Sequence, residues 1–253
     1  MLPALRSAAS GLLAHQLMMD VTADNLANVN TPGFKRALPR FADLVGPAGG
    51  GGPEPLDRIG LGARPEEVSM DFRQGMVEQT ENPLHLCVEG EGFFAVRLDD
   101  GTLGYLRAGV LGVDGGGRLT LNGRFLLEPP IRMPAGAWQP VVDERGVVMA
   151  RGDGQGEEEV GRIFLARFPN PQGLERRGDC VLVPTAASGD PVVNLPGEEG
   201  LGLLRQGFLE RSNVEVAEEM VRMITALRAY QLNSRMLQAS DEALDVANKI
   251  VRG

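Results

Sequence analysis

Near the start of the chain Leu5, Ala9, Leu12, Gln16, Met19, Ala23 and Leu26 recur at alternating steps of four and three. This is the 3.5-residue spacing that keeps one stripe of a helix facing a partner helix, and it predicts a single helix over residues 3 to about 28. Pro3 suits a first helical turn, where its missing N–H costs nothing. The run Asn28-Val29-Asn30-Thr31-Pro32-Gly33 ends the helix, because Pro32 disfavours helix at Thr31 and Gly33 permits a turn. The far end of the chain mirrors this pattern. Ser212-Asn213-Val214-Glu215 reads as a capping box. Val216, Met220, Met223, Leu227, Tyr230, Leu237, Leu244 and Val251 then form a helical stripe, interrupted by Ser234, Asp241 and Asn248. Glu215, Glu218 and Glu219 near its start, and Lys249 and Arg252 near its end, each oppose the helix dipole. A helix of about 38 residues spans roughly 57 Å, long enough to want partners.

Between these ends the period falls to two. Phe94, Val96 and Leu98 alternate as in a half-buried strand. Leu119-Thr120-Leu121 and Phe125-Leu126 flank Asn122-Gly123, a strong hairpin signal, and Val141-Val142 and Val147-Val148 flank Asp143-Glu144-Arg145-Gly146, a second. Ile163 to Phe168 and Cys180 to Val183 add strands. The fold class is therefore α+β: N- and C-terminal helices pairing as a coiled coil, with an all-β central domain inserted between them. The predicted divisions are 1–34 plus 206–253 for the helical assembly domain, 35–70 for an extended Gly/Pro-rich connector or loop, and 71–205 for the β domain. Gly46 to Gly62, with Gly49-Gly50-Gly51-Gly52, is the core of that connector.

Composition sharpens the picture mainly by exclusion. The net charge of −9 and the lack of a basic cluster exclude a nucleic-acid footprint. Cys87 and Cys180 form no C-x-x-C pattern, and buried free thiols are favoured over a disulfide. His15 and His85 are too few and too scattered for a metal cage. Gly60-Leu61-Gly62-Ala63-Arg64-Pro65 lacks the third glycine of a dinucleotide loop and has proline where a helix should open. Asp99-Asp100-Gly101 and Asp153 to Glu159 lack calcium-loop spacing and read as solvated turns. No catalytic residue, cofactor or metal is expected. No run reaches the roughly 18 apolar residues of a membrane helix. The N-terminal segment, broken by Arg6, His15, Gln16 and Asp20, does not read as a cleaved secretory signal. Composition alone would place the protein in the cytoplasm.

Two helices bury too little to stand alone. A fully buried Leu contributes about 1.5–3 kcal/mol, while ordering each residue costs about 1–2 kcal/mol of backbone entropy. Their outer faces must find another surface, most simply another copy. The expected assembly interface comprises Leu5, Leu12, Met19, Asn25, Leu26, Asn28, Phe34, Ser212, Asn213, Val216, Met220, Leu227, Tyr230, Leu237 and Leu244. Asn25 and Asn28 read either as polar register pins or as a helix end and turn, the turn being favoured for Asn28 and Asn30.

The borders of the two helices carry a family signature. Asn25-Leu26-Ala27-Asn28-Val29-Asn30-Thr31-Pro32-Gly33-Phe34-Lys35 resembles the N-terminal motif of bacterial flagellar rod and hook proteins. Gln206 to Val214, Glu218-Glu219-Met220-Val221 and Arg228 to Ser234 resemble the C-terminal one. Asn82-Pro83-Leu84, Gly90-Glu91-Gly92-Phe93-Phe94 and Asp100-Gly101-Thr102 match between them, so the resemblance covers essentially the whole chain. Within the family, chain length, Met1 to Asp20 and Gly200-Leu201-Gly202 leading into Gln206-Gly207 are most similar to distal-rod members. Tyr105-Leu106-Arg107-Ala108-Gly109 departs from the usual Tyr-Thr-Arg-x-Gly.

The resemblance implies a self-assembling hollow helical tube, with end helices inside and the β domain outside, that transmits torque and performs no chemistry. It implies export through the flagellar type III apparatus without a cleaved signal. The expected location is then the periplasmic rod of the basal body rather than the cytoplasm. The implied partners are copies of the chain, other rod proteins, the hook protein and surrounding ring proteins, with neither nucleic acid nor direct membrane insertion. A proximal-rod subunit of the same family, or a monomeric β-domain binding module or adhesin on a coiled-coil stalk, are the alternatives.

Overall fold

The computed structural model describes residues 2–45, 60–134, 137–152 and 155–252. The chain divides into two compact units. The first gathers residues 1–27, 37–70 and 215–253, and the second residues 28–36 and 71–214.

The first unit holds both long helices, α1 (Leu2–Ala27) and α2 (Val216–Arg252). They pack side by side. A Cβ added at Gly11 would lie 2.8 Å from Asn233 Nδ2, and Asn25 Nδ2 donates to Glu219 Oε2 at 3.3 Å. These two meeting points lie fourteen residues apart on each helix and run in opposite directions, so the pair is antiparallel. The same unit contains β1 (Ala37–Val45) and β2 (Gly60–Met70), an antiparallel ribbon where the sequence suggested a loop. The ribbon survives its prolines because it has two strands only. Pro39 and Pro65 need no second neighbour, and a register shift between Arg40 and Phe41 takes up the irregularity. The glycine run from Gly46 to Ile59 lies outside the described residues. Ser10 Oγ accepts from Ala63 N at 3.3 Å and ties the start of β2 to α1.

The second unit is β-rich. Its main sheet is built around the strand Phe93–Arg97, which pairs with Leu103–Leu106 on one side and Phe125–Leu127 on the other. The predicted Asn-Gly hairpin is present: Leu121 pairs with Phe125, Asn122 and Gly123 have φ of 53° and 69°, and Arg124 N donates to Leu121 O. The second predicted hairpin is present too. Val142 pairs with Val148 across a turn closed by Gly146, in a three-stranded sheet completed by Gln155–Arg162. Leu86, Val88, Phe94, Val96, Leu106, Leu119 and Ile163 are wholly buried in a single core. Strand Phe93–Arg97 departs from the expected alternation, since Phe93 and Ala95 are buried as well. The ring of Phe93 meets Phe72 and Phe168 edge to face at 5.7 and 6.1 Å, so aromatic packing covers its second face.

Residues 28–34 and 206–214, expected in the helical domain, and Lys35 and Arg36, expected in the connector, fall in this β unit. The expected capping box at Ser212 does not form. Helix α2 begins at Val216, and Ser212 Oγ accepts from Val214 N at 3.3 Å in a local turn.

Candidate assembly site

The helix pair meets through a seam unlike the one hydrophobicity suggests. On α1 the positions that face inward run through Ala8, Gly11, His15, Met18, Thr22 and Asn25, one residue out of phase with the predicted heptad. On α2 the inward positions include Glu219, Met223, Ala226, Tyr230, Asn233 and Leu237. Ala8, Thr22, Asn25, Glu219 and Ala226 are buried, so small and polar side chains make up much of the seam. Such residues let helix backbones approach closely but bury little apolar area.

Asn25 is the pin of this unit. Its Oδ1 accepts from Ala37 N and its Nδ2 donates to Ala37 O, both at 2.8 Å, before reaching Glu219. One amide thus ties the end of α1 to the start of β1 and the first turn of α2. Asn28, by contrast, lies in a turn: Thr31 N donates to its carbonyl and Thr31 Oγ1 to its side chain.

Several large apolar residues lie outside the seam. Val216, Met220, Ile224 and Leu227 follow one another at steps of four, four and three along one side of α2, and they are 43 to 52% exposed. Val221, Leu232 and Met236 are exposed on another side, as is Leu13 on α1. Leu5, Leu12, Met19 and Leu26 are half-buried, as are Tyr230 and Leu237; the side chain of Leu244 lies outside the described residues. Phe34, expected at the interface, is instead sealed inside the β unit at 1% exposure with the Arg176 guanidinium 4.6 Å above its ring. Asn213 is also committed internally. It accepts from Arg36 N and donates to the carbonyls of Asp71 and Arg73, stapling three passes of chain together.

A buried ionic cluster, which sequence reasoning missed, lies in the β unit. Glu210, 2% exposed, receives Lys35 Nζ at 2.6 Å, Arg107 Nε at 2.5 Å and Gly75 N at 2.9 Å. Lys35 also donates to Arg73 O. Arg107 donates further to the carbonyls of Val88, Gly90 and Gly92. Burial alone would raise the Glu210 carboxyl, but the two cations and the backbone N–H hold it below its ordinary value. Burial lowers the Lys35 ammonium despite the carboxylate beside it. Burial likewise pushes the neighbouring Cys87 thiol up to about 11, which leaves it unreactive. The cluster has the character of a structural lock.

The chain matches three family models: "Flagella basal body rod protein" over residues 5–35, "Flagellar hook protein FlgE/F/G D1 domain" over 87–150, and "Flagellar basal body rod FlgEFG protein C-terminal" over 205–250. It is 39% identical to the flagellar basal-body rod protein FlgG of Borreliella burgdorferi over the full length of both chains. The chain belongs to the flagellar basal-body rod protein family. It is 36% identical to the FlgG of Caulobacter vibrioides over 98% of each chain, and 29% identical to the flagellar basal-body rod protein FlgF of Escherichia coli over 91% of each. Lys35, Arg107 and Glu210 come one from each segment matched by the rod and hook models. In this rod-family chain the ionic lock therefore joins all three of those segments within one unit.

Proposed function

We propose that this chain is a distal-rod subunit that polymerises through its terminal helices into a hollow helical tube, with the β unit outermost. The observation that carries the reading is the apolar row Val216, Met220, Ile224 and Leu227, left exposed on α2 outside the intrachain seam. Each of these four contributes roughly 1 kcal/mol on losing its remaining exposure. Four together supply about 4 kcal/mol, a factor of roughly a thousand in an association constant. The helices of neighbouring copies then form the coiled-coil layer, and rigidity under torque comes from many repeated contacts. The role is structural, with no chemical step. Identities of 34–39% to relatives named FlgG, against 29% to one named FlgF, support the distal over the proximal position. Partners on this reading are copies of the chain, adjoining rod and hook proteins, the surrounding rings and the export apparatus, in the periplasmic basal body. No helix among the described residues is long and apolar enough to cross a membrane.

Concentrating the purified protein and imaging it by electron microscopy tests the proposal. Filaments of uniform width are expected. Strictly monomeric behaviour at every concentration would refute self-assembly.

A further inference from the structure

Beside the ionic lock the β unit contains a cavity of about 310 Å³ lined by Lys35, Phe72, Arg73, Phe93, Arg107 and Arg167, together with the backbone of Gly90 to Gly92. Its construction is unusual for a chain of net charge −9. Arg73 is paired to Asp71 at 2.6 Å, Lys35 and Arg107 share Glu210, and Arg167 reaches Glu91 only at 3.8 Å. Four cations thus line the cavity, and the longest of these pairings is at the rim, where the Glu91 side chain is 74% exposed. Deeper in, an ammonium has three N–H donors. Two of those on Lys35 are used, one by Arg73 O and one by Glu210. The third has no protein partner among the described residues, although Lys35 is only 6% exposed and lines the cavity. Phe72, Phe93 and Pro171 give the lining an apolar side that suits a short methylene stem, and the polar Gln74 lines it as well.

We infer that in the assembled rod this cavity receives the carboxylate of an acidic side chain from a second copy of the chain. This rests on the self-assembly proposed above. The occupant is a second copy because the charges are complementary. Subunits carrying 34 Asp and Glu against 25 Lys and Arg repel one another as bodies, and a locally cationic socket converts one of those surplus carboxylates into a specific contact. The carboxylate takes the third Lys35 N–H, Arg167 closes over it, and the stem lies on the Phe72 and Phe93 rings.

Chemical cross-linking tests this on the wild-type protein. Lys35 and Lys249 are the two lysines of the sequence, so a zero-length carbodiimide, which joins an amine to a carboxylate in contact with it, reports on very few amines. Polymer grown from mixed 14N- and 15N-labelled protein is expected to yield isotopically mixed peptides joining Lys35 to an Asp or Glu of another copy. In parallel, Arg167→Glu should raise the critical concentration for polymerisation at least about tenfold, and Arg167→Lys should leave it near wild type. Polymer whose Lys35 links all run to Glu210 of the same chain overturns the inference. So does Arg167→Glu polymerising at the wild-type concentration. In both cases the self-assembly reading still stands, whereas failure of the wild-type protein to polymerise refutes that reading itself.

Discussion

Replacing Glu210 by Gln isolates the energetics of the ionic lock. The substitution preserves shape but removes the charge that neutralises Lys35 and Arg107, which are 6% exposed each. It also turns an amide N–H₂ toward groups that can only donate. Breaking a buried pair by removing one partner costs about 3–5 kcal/mol, since the other charge is left uncompensated. With a urea dependence of about 3 kcal/mol per molar, a loss of about 4 kcal/mol lowers the unfolding midpoint by roughly 1.3 M. Fluorescence of Trp138, the single tryptophan, reads this out, because its strand Ala137–Val142 lies in the β unit. The exposed pair Arg205–Glu89, 2.7 Å apart with both side chains 47% exposed, is the control: Glu89→Gln should cost less than about 1 kcal/mol. The pH dependence has a definite sign. The folded Glu210 pKa is depressed, so its contribution is whole above the unfolded value of 4.5 and is lost as pH falls through the folded value. The gap between wild type and Glu210→Gln should therefore narrow in acid. A Glu210→Gln midpoint no lower than that of Glu89→Gln at neutral pH would refute the lock.

Leu227→Asp should raise the critical concentration for polymerisation by about a hundredfold or more, because a carboxylate would replace roughly 1 kcal/mol of apolar burial with a desolvation cost; normal filaments would show that the exposed row does not face a neighbour. Asn25→Ala orphans the backbone N–H and C=O of Ala37, which is 4% exposed, and should destabilise the helical unit by about 2–4 kcal/mol. Far-UV circular dichroism should then show the helices melting earlier while the Trp138 transition is unmoved; a single unshifted melt would count against the pin. Gly109→Ala places a Cβ 2.2 Å from Leu86 O, forcing backbone apart within the β core, and should cost at least about 1–3 kcal/mol in the Trp138 transition. Wild-type stability of that variant would contradict the packing there. In dilute monomer, residues 3–28 should exchange their amide hydrogens faster than the β core; equal protection would show that the helix pair is complete without neighbours.

The sequence disclosed features whose cause is local. Asn122-Gly123 announced its hairpin because both residues tolerate positive φ, and the terminal helices were legible from period and borders. Features made by distant residues were harder to see. Hydrophobicity placed the α1 heptad through Leu5, Leu12, Met19 and Leu26, whereas the intrachain seam runs one position away through Ala8, Gly11, Thr22 and Asn25. Periodicity weights large apolar residues, and on α1 the four it picked out are half-buried beside the seam rather than within it. The ribbon of β1 and β2 was mistaken for connector because Pro39, Pro65 and the neighbouring glycines are breakers only where a strand needs two partners. The cluster of Lys35, Arg107 and Glu210 has no signature of this kind, since nothing in a linear string marks Arg107 and Glu210, 103 positions apart, as one buried pair. A faint signal existed: Lys35 and Glu210 both sit inside the family motifs, among apolar neighbours.

Asn25 and Glu219 are 194 positions apart, and the contact between them joins the first helix to the last. A ribosome releases the N-terminus first, so α1 emerges long before its partner exists. Its small-residue seam must wait while the entire β unit is made. The entropy of closing so long a loop grows only slowly with length, so the delay is a matter of time rather than energy. The chain thus carries its own timer: the helical unit matures only after the final turn of α2 has been released.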